Sequence, residues 1–378
     1  MPTTHVCLLN GSMSSVLTPV IDPSIPSDKL VVVAKQAHQK EAELLLSIAR
    51  TRGYMGEFRL LPESDATLDV KMALLDIFTS LDTEEGEVWL NATGGDRYHA
   101  LAAFEVAREF DFPVFVVEPD HDSLFWLYPE SSDATPIQDK LKLHEYFTLF
   151  GTRLERIEHG NGIPAELNAL GEKWASDVDY YGRGLSTLNY LAMKAENDNR
   201  VSMDESAQKN PALLDMLDEL EALNFISVSD NRITFENEKS RFFCNGGWLE
   251  TYVFSLLRGL TSEVRHIQDH TYGAEITRKV NGREVKNELD AVALVNNKLH
   301  ILECKTGKME DSNVTAMLYK LDSLNELIGD VRGRAALITF HDVNDSVLAR
   351  AAELQIQVFG PRLLGNLKTH LRNWLKEA

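Results

Sequence analysis

Residues 288–305 read Glu288-Leu289-Asp290-Ala291-Val292-Ala293-Leu294-Val295-Asn296-Asn297-Lys298-Leu299-His300-Ile301-Leu302-Glu303-Cys304-Lys305. Two apolar runs flank a pair of asparagines, and asparagine tolerates the positive φ that a two-residue hairpin turn demands. The stretch therefore predicts a β-hairpin looped at Asn296 and Asn297. In that register Asp290 lies opposite Glu303 and Glu288 opposite Lys305, and period-two alternation puts all four on one face. Opposed residues hold their Cβ atoms about 4.5–5.5 Å apart, so two facing carboxylates repel unless positive charge sits between them. One resolution is a solvent-facing strip in which Glu288 pairs with Lys305. The other is a divalent cation about 2.0–2.6 Å from oxygen ligands. Val292, Leu294, Ile301 and Leu302 are apolar on both faces, which reads as a central, buried hairpin. Buried unpaired carboxylates are costly, and the metal reading is preferred.

The chemistry suited to that arrangement is phosphodiester hydrolysis. Mg²⁺ or Mn²⁺ held by Asp290 and Glu303 polarises a scissile phosphate and lowers the pKa of a bound water. Lys305, on the same strand, is placed to position that water or offset charge on the phosphorane. Gly246-Gly247-Trp248-Leu249-Glu250 opens an amphipathic helix running to about Arg258, and Glu250 is a further candidate metal ligand. Tyr319 and Lys320, on a helix over about 313–327, are candidate phosphate contacts.

Upstream, short apolar strands alternate with helical patterns: strands at 5–10, 30–34, 56–61, 87–91 and 113–117, and helices over 36–52, 68–81 and 97–110. Strands spaced by helices imply right-handed crossovers and a mostly parallel sheet covered on both faces. Ligands of such sheets gather outside the carboxyl ends of the strands. Two connections there stand out: Gly11-Ser12-Met13-Ser14-Ser15, and Ala92-Thr93-Gly94-Gly95-Asp96-Arg97 opening directly into a helix. Paired glycines, a helix start, hydroxyls and an arginine suit a phosphate. A plain turn with Asp96 as helix cap fits the same residues, and no P-loop pattern occurs.

Between these parts, residues 185–194 and 211–223 predict helices, and 225–228 and 232–235 a small hairpin, together the outline of a winged helix. Its second helix carries Asp215, Asp218, Glu219 and Glu221 and no basic residue, so a spacer or dimerisation role is favoured over DNA contact. Charge is uneven along the chain, at −13 for residues 1–150, −8 for 151–240 and +1 for 241–378. A polyanion is tolerated only towards the last third, which excludes a general nucleic-acid coat. At 378 residues with 44% hydrophobic and 25% charged, the chain reads as a globular protein of two or three domains. No apolar run reaches the roughly 18–20 residues of a membrane span, and the first residues lack the basic start of a secretory signal. Cys7, Cys244 and Cys304 are too few and too far apart for a disulfide framework or a paired-cysteine zinc site. Cytoplasm is the expected compartment.

Asp290, twelve residues, then Glu303-x-Lys305 resembles the PD-(D/E)xK nuclease superfamily, with Leu289 where a proline is usual. Asn91-Ala92-Thr93-Gly94-Gly95-Asp96-Arg97 resembles the N-x-T-G-G-T-K signature of CRISPR-associated Rossmann fold (CARF) domains, with Asp96 and Arg97 in place of Thr and Lys. The order of parts is similar to the CARF nucleases of type III CRISPR defence. This implies a Rossmann-like CARF domain over 1–150, a linker and winged-helix-like domain over 151–240, and a restriction-endonuclease-like α/β domain over 241–378. It also implies a homodimer that binds a cyclic oligoadenylate, the tetramer in first place, and then cleaves DNA, single-stranded RNA or both. By resemblance, Ser12, Ser14, Thr93, Gly94, Gly95 and Arg97 are ligand-loop positions. Asp290, Glu303 and Lys305 form the catalytic set, with Glu250 and Glu288 in support. Competing readings are a non-enzymatic, ligand-responsive transcription regulator and a nuclease that needs no messenger.

Overall fold

The computed structural model describes residues 2–11, 13–64, 66–82, 86–118, 122–130, 133–138, 140–158, 164–308, 310–328 and 333–376. Its contacts divide it into two compact units. The first holds residues 1–154 with the short segments 277–285 and 294–297, and the second holds the remainder.

In the first unit the elements run β1 (Thr3–Leu8), α1 (Met13–Ile21), β2 (Lys29–Ala34), α2 (Gln39–Thr51), β3 (Met55–Leu60), α3 (Thr67–Asp82), β4 (Glu87–Asn91), α4 (Arg97–Glu109) and β5 (Val114–Glu118). β6 (Ser123–Tyr128), β7 (Thr135–Pro136) and α5 (Leu143–Leu149) follow. The sheet order is β3-β2-β1-β4-β5-β6-β7, parallel through β5 and antiparallel at its β6–β7 edge. Val6, Leu8, Val31 and Val33 pack beneath Val70, Leu74 and Phe78 of α3 and Ala103 and Val106 of α4. The opposite parity (Cys7, Leu30, Val32) is just as buried. Both faces are therefore covered, as a parallel sheet requires. The strand order reverses between β1 and β4, the switch point where loops diverge and leave a crevice.

The segment read as a loop after β1 is instead largely helix. α1 starts at Met13, contains Pro19, and has every residue buried. Its serines argue against a helix on propensity. Burial of Val16, Leu17, Val20 and Ile21 outweighs that preference.

The second unit begins in β8 (Thr152–Glu158) and continues with α6 (Ala165–Ser176), α7 (Val178–Lys194), β9 (Arg200–Ser202), α8 (Pro211–Ala222), β10 (Ile226–Ser229) and β11 (Arg232–Phe235). The three small strands pair antiparallel as β10-β11-β9, giving the winged-helix outline. Then come α9 (Glu238–Phe242), a wide turn at Phe243–Gly247, α10 (Trp248–Leu260), β12 (Ile267–Val280), β13 (Arg283–Val295), β14 (Lys298–Lys305) and α11 (Asp311–Ile328). β15 (Arg334–Thr339), α12 (Asp345–Glu353), β16 (Ile356–Phe359), α13 (Pro361–Leu364) and α14 (Leu367–Lys376) complete the chain. The second sheet has the order β16-β15-β14-β13-β12-β8, so β13 and β14 are central. Ala291–Val295 and Leu299–Glu303 are all buried, which the continuous apolar runs anticipate. No helix among the described residues is long and apolar enough to cross a membrane.

Candidate functional site

β13 ends at Val295 and β14 begins at Lys298. Asn296 (φ 49°) and Asn297 (φ 56°) are both left-handed, the backbone of a type I′ turn. Within the first unit, Asn297 Nδ2 also donates to Asp122 Oδ2 at 2.8 Å.

Toward the other end of this hairpin, Lys305 Nζ lies 2.8 Å from Glu303 Oε1 and 3.5 Å from Asp290 Oδ2. The Cys304 N–H donates to Asp290 Oδ2 at 2.7 Å. Asp290, Glu303 and Lys305 are thus brought together, with Glu303 the most buried at 8% exposure. Glu250 is half-buried in the first turn of α10 and Glu288 is exposed on β13. Burial, then the charges of Asp290 and Glu288, push the Glu250 carboxyl up to about 9. Burial and the Glu303 carboxylate push Asp290 up to about 6. Burial works against the Lys305 ammonium, but Asp290 and Glu303 outweigh it and hold its pKa above the usual range. Asp290 and Glu303 share the Lys305 ammonium, and the carboxylates around Glu250 favour its protonated form.

Such a set of hard oxygen donors, short of positive charge, suits Mg²⁺ or Mn²⁺. Among the described residues no three His, Cys, Asp or Glu side chains close into a ready metal cage. The ammonium of Lys305 occupies the space between Asp290 and Glu303 instead. Tyr319 and Lys320 are exposed on α11, and the Arg350 guanidinium lies 5.8 Å from the Tyr319 ring.

The Gly246-Gly247 pair before Glu250 has a steric cause. Gly246 has φ +102°, and a Cβ there would sit 2.2 Å from Thr306 Oγ1. A Cβ on Gly247 would strike the Phe242 ring at 2.3 Å. Trp248, fully buried between Trp174 and Phe340 (centroids 5.6 and 5.7 Å), then fixes the first turn of α10.

In the first unit, the loop after β4 closes onto β1. A Cβ on Gly94 would lie 2.3 Å from Leu8 O, and Gly95 (φ +89°) faces the Leu8 side chain. These glycines therefore serve the approach of loop to strand. The Thr93 hydroxyl donates to Asn91 Oδ1 at 2.5 Å and accepts from the Val117 N–H at 2.7 Å, a staple within the sheet. Asp96 stands at the N-cap position of α4 without capping it; its carboxylate accepts from Asn10 Nδ2 at 2.7 Å and ties the two loops together. Arg97 opens α4 and is exposed. Ser14 is buried on α1, and Ser12 lies outside the described residues. A cleft at the strands' carboxyl ends is lined by Asn10, Lys35, His38, Gly95, Asp96 and His99 among others. The sequence reading turns on the loops after β1 and β4 and does not single out Lys35 or His38. Their signal was position, since Lys35 directly follows the apolar run of β2.

A Rossmann-like sheet with a ligand-type crevice, joined in one chain to a central-hairpin α/β unit bearing Asp290, Glu303 and Lys305, defines the class of CARF-domain nucleases. Residues 236–378 match the family of the Card1-like endonuclease domain. The chain is 35% identical to protein VC1899 from Vibrio cholerae, covering 99% of this chain and 98% of that one, with a TM-score of 0.94. It shares its fold with Can2 from Sulfobacillus thermosulfidooxidans, solved in complex with cyclic tetra-adenylate (TM-score 0.81, 22% identity, 99% of each chain). A type III CRISPR defence DNA nuclease activated by cyclic oligoadenylate is similar over 89% of this chain and 45% of that one (TM-score 0.58, 15% identity). No curated protein matches. The chain belongs to the family of VC1899, the CARF nucleases with a Card1-like endonuclease domain.

Proposed function

We propose that this protein is a metal-dependent nuclease of type III CRISPR defence, switched on by a cyclic oligoadenylate, the tetramer in first place. The messenger is held by a CARF homodimer, and the substrate is DNA, single-stranded RNA or both. The domains divide at about 150 and 240. Three free, buried cysteines suit the reducing cytoplasm. The observation that carries this reading is the meeting of Asp290, Glu303 and Lys305 on the central hairpin of a Card1-like endonuclease domain.

Asp290 and Glu303 would hold Mn²⁺ or Mg²⁺, with Glu250 as a further donor. A bound divalent ion supplies Lewis-acid polarisation of the phosphate and a more acidic water. The Lys305 ammonium is kept charged by its two carboxylate neighbours, and stabilises negative charge growing on the phosphoryl oxygens. Burial and the neighbouring carboxylates favour the protonated form of Glu250, so it would have to lose that proton to serve as a metal ligand. Thr93, Gly94, Gly95 and Arg97, with Ser12 and Ser14, form the messenger loops.

The test is incubation with Mn²⁺ and labelled single-stranded DNA, RNA and supercoiled plasmid, with and without cyclic tetra-adenylate. Asp290→Ala and Glu303→Ala are expected to abolish cleavage and leave messenger binding intact. Cleavage retained in both variants overturns the assigned site, and full cleavage without messenger overturns the sensor reading.

A further inference from the structure

Helix α7 belongs to the middle segment, which neither the hairpin nor the messenger loops give a role. One of its side chains nevertheless reaches the catalytic strand. Asn189 Nδ2 donates to Thr306 Oγ1 at 2.9 Å, and Thr306 immediately follows Lys305. Thr306 is 9% exposed and is held from two further directions, while Lys305 beside it is held from a third. Gly246 lies against its hydroxyl, where no residue with a Cβ fits. The His341 ring hydrogen-bonds its main chain. The Phe340 N–H donates to Lys305 O at 2.9 Å from the end of β15, whose Thr339 pairs with Lys305. The Gly246 turn leads directly into α10, which carries Glu250 in its first turn.

We infer that Asn189 is a positioning residue for cleavage: by fixing Thr306 against the Gly246 turn, it aligns Lys305 and Glu250. This rests on the nuclease reading above. Lys305 carries its charge on a flexible four-carbon stem, so the direction of its Cα–Cβ bond is what the fold can control. A hydrogen bond to the next residue's side chain fixes that direction without occupying the space where substrate must lie. The same threonine sets the approach of the turn before α10, so one contact registers two functional side chains that come from separate elements. Asn189 holds this place although its Oδ1 is buried with no hydrogen-bond partner among the described residues. Buried unpaired acceptors are unfavourable for stability, and rules broken in this way concentrate at functional sites. The middle segment then forms part of the cleavage machinery.

The experiment uses the full chain with Mn²⁺, saturating cyclic tetra-adenylate and labelled single-stranded substrate. Asn189→Ala and Thr306→Val are each expected to lower kcat roughly ten- to a hundredfold, the scale of a small misplacement of reacting groups. KM should stay within about twofold, as for an interaction that matters in the transition state, and messenger affinity should not change. Thr306→Ser, which keeps the hydroxyl, retains kcat. The double variant is no slower than the slower single, because both changes break one contact. Asn189→Asp, isosteric but without the donor, carries the same expectation should the alanine variant not fold. Wild-type kcat in Asn189→Asp or Thr306→Val, or losses that multiply in the double variant, overturn the inference. Glu303→Ala runs in parallel. A wild type that cleaves, a silent Glu303→Ala and a fully active Asn189→Asp sink only this inference. A wild type that cleaves nothing sinks the nuclease reading with it.

Discussion

His300 lies inside the apolar run of β14, wholly buried, with the Trp374 ring edge-on at 5.0 Å and Nδ1 3.1 Å from Lys298 O. Burial lowers its pKa to about 3, against about 6.5 in an unfolded chain. The unfolded chain therefore takes up a proton below pH 6.5 that the folded protein refuses. Stability is lost as pH falls from about 6.5 towards 3, by up to about 1.4 kcal/mol per pH unit. Urea midpoints from pH 7 to pH 4.5 should show this slope in the wild type and a shallower one in His300→Gln. Equal slopes would refute the burial account. At this scale the sequence spoke unevenly. Asp290, Glu303 and Lys305 were legible because strand alternation and a two-residue loop tie their numbers together. Asn189 and Thr306 were not, since no local period connects positions 117 residues apart. His300 carries no signal of its own, because one imidazole among Leu299, Ile301 and Leu302 does not disturb an apolar pattern.

The element that most needs particular residues is the β13–β14 turn. Two consecutive left-handed residues cost an ordinary side chain about 1–2 kcal/mol each, and asparagine and glycine escape most of that. Asn296→Ala is therefore expected to lower unfolding free energy by about 1 kcal/mol, and Asn296→Gly by much less. Chemical denaturation compares the two, and equal losses would mean that the turn conformation is not what asparagine supplies. Such turn chemistry is why this hairpin could be read in advance. β12 could not, because Ile267-Gln268-Asp269-His270-Thr271-Tyr272 is a mostly polar, half-exposed stretch whose strand form comes from pairing with its neighbours. α1 was hidden for the opposite reason, as its polar start gives no helical signal and the surrounding core imposes the helix. The parallel strands β1, β2, β4 and β5 were plain, since burial on both faces leaves near-continuous apolar runs.

For the whole molecule, charge sets the terms on which the proposed anionic messenger would bind. The first 150 residues carry −13, so the general field opposes capture and affinity must come from local donors. Asp96 spends its carboxylate on Asn10 and leaves the start of α4 uncapped by its side chain. The helix-start N–H groups favour negative charge there, and Arg97 adds an exposed guanidinium on the first helical residue. A charge-assisted hydrogen bond to phosphate contributes about 1.5–3 kcal/mol. Arg97→Ala is accordingly expected to weaken cyclic tetra-adenylate binding by about ten- to 150-fold, measured by isothermal titration. Arg97→Lys should fall between, because an ammonium keeps the charge and loses the fork. On the proposed reading Arg97 serves capture and takes no part in phosphodiester chemistry, so saturating messenger should return the Arg97→Ala cleavage rate to near wild type. Unchanged affinity would place the messenger's phosphates elsewhere. Lost affinity with a rate that saturation fails to restore would mean that Arg97 also transmits the signal.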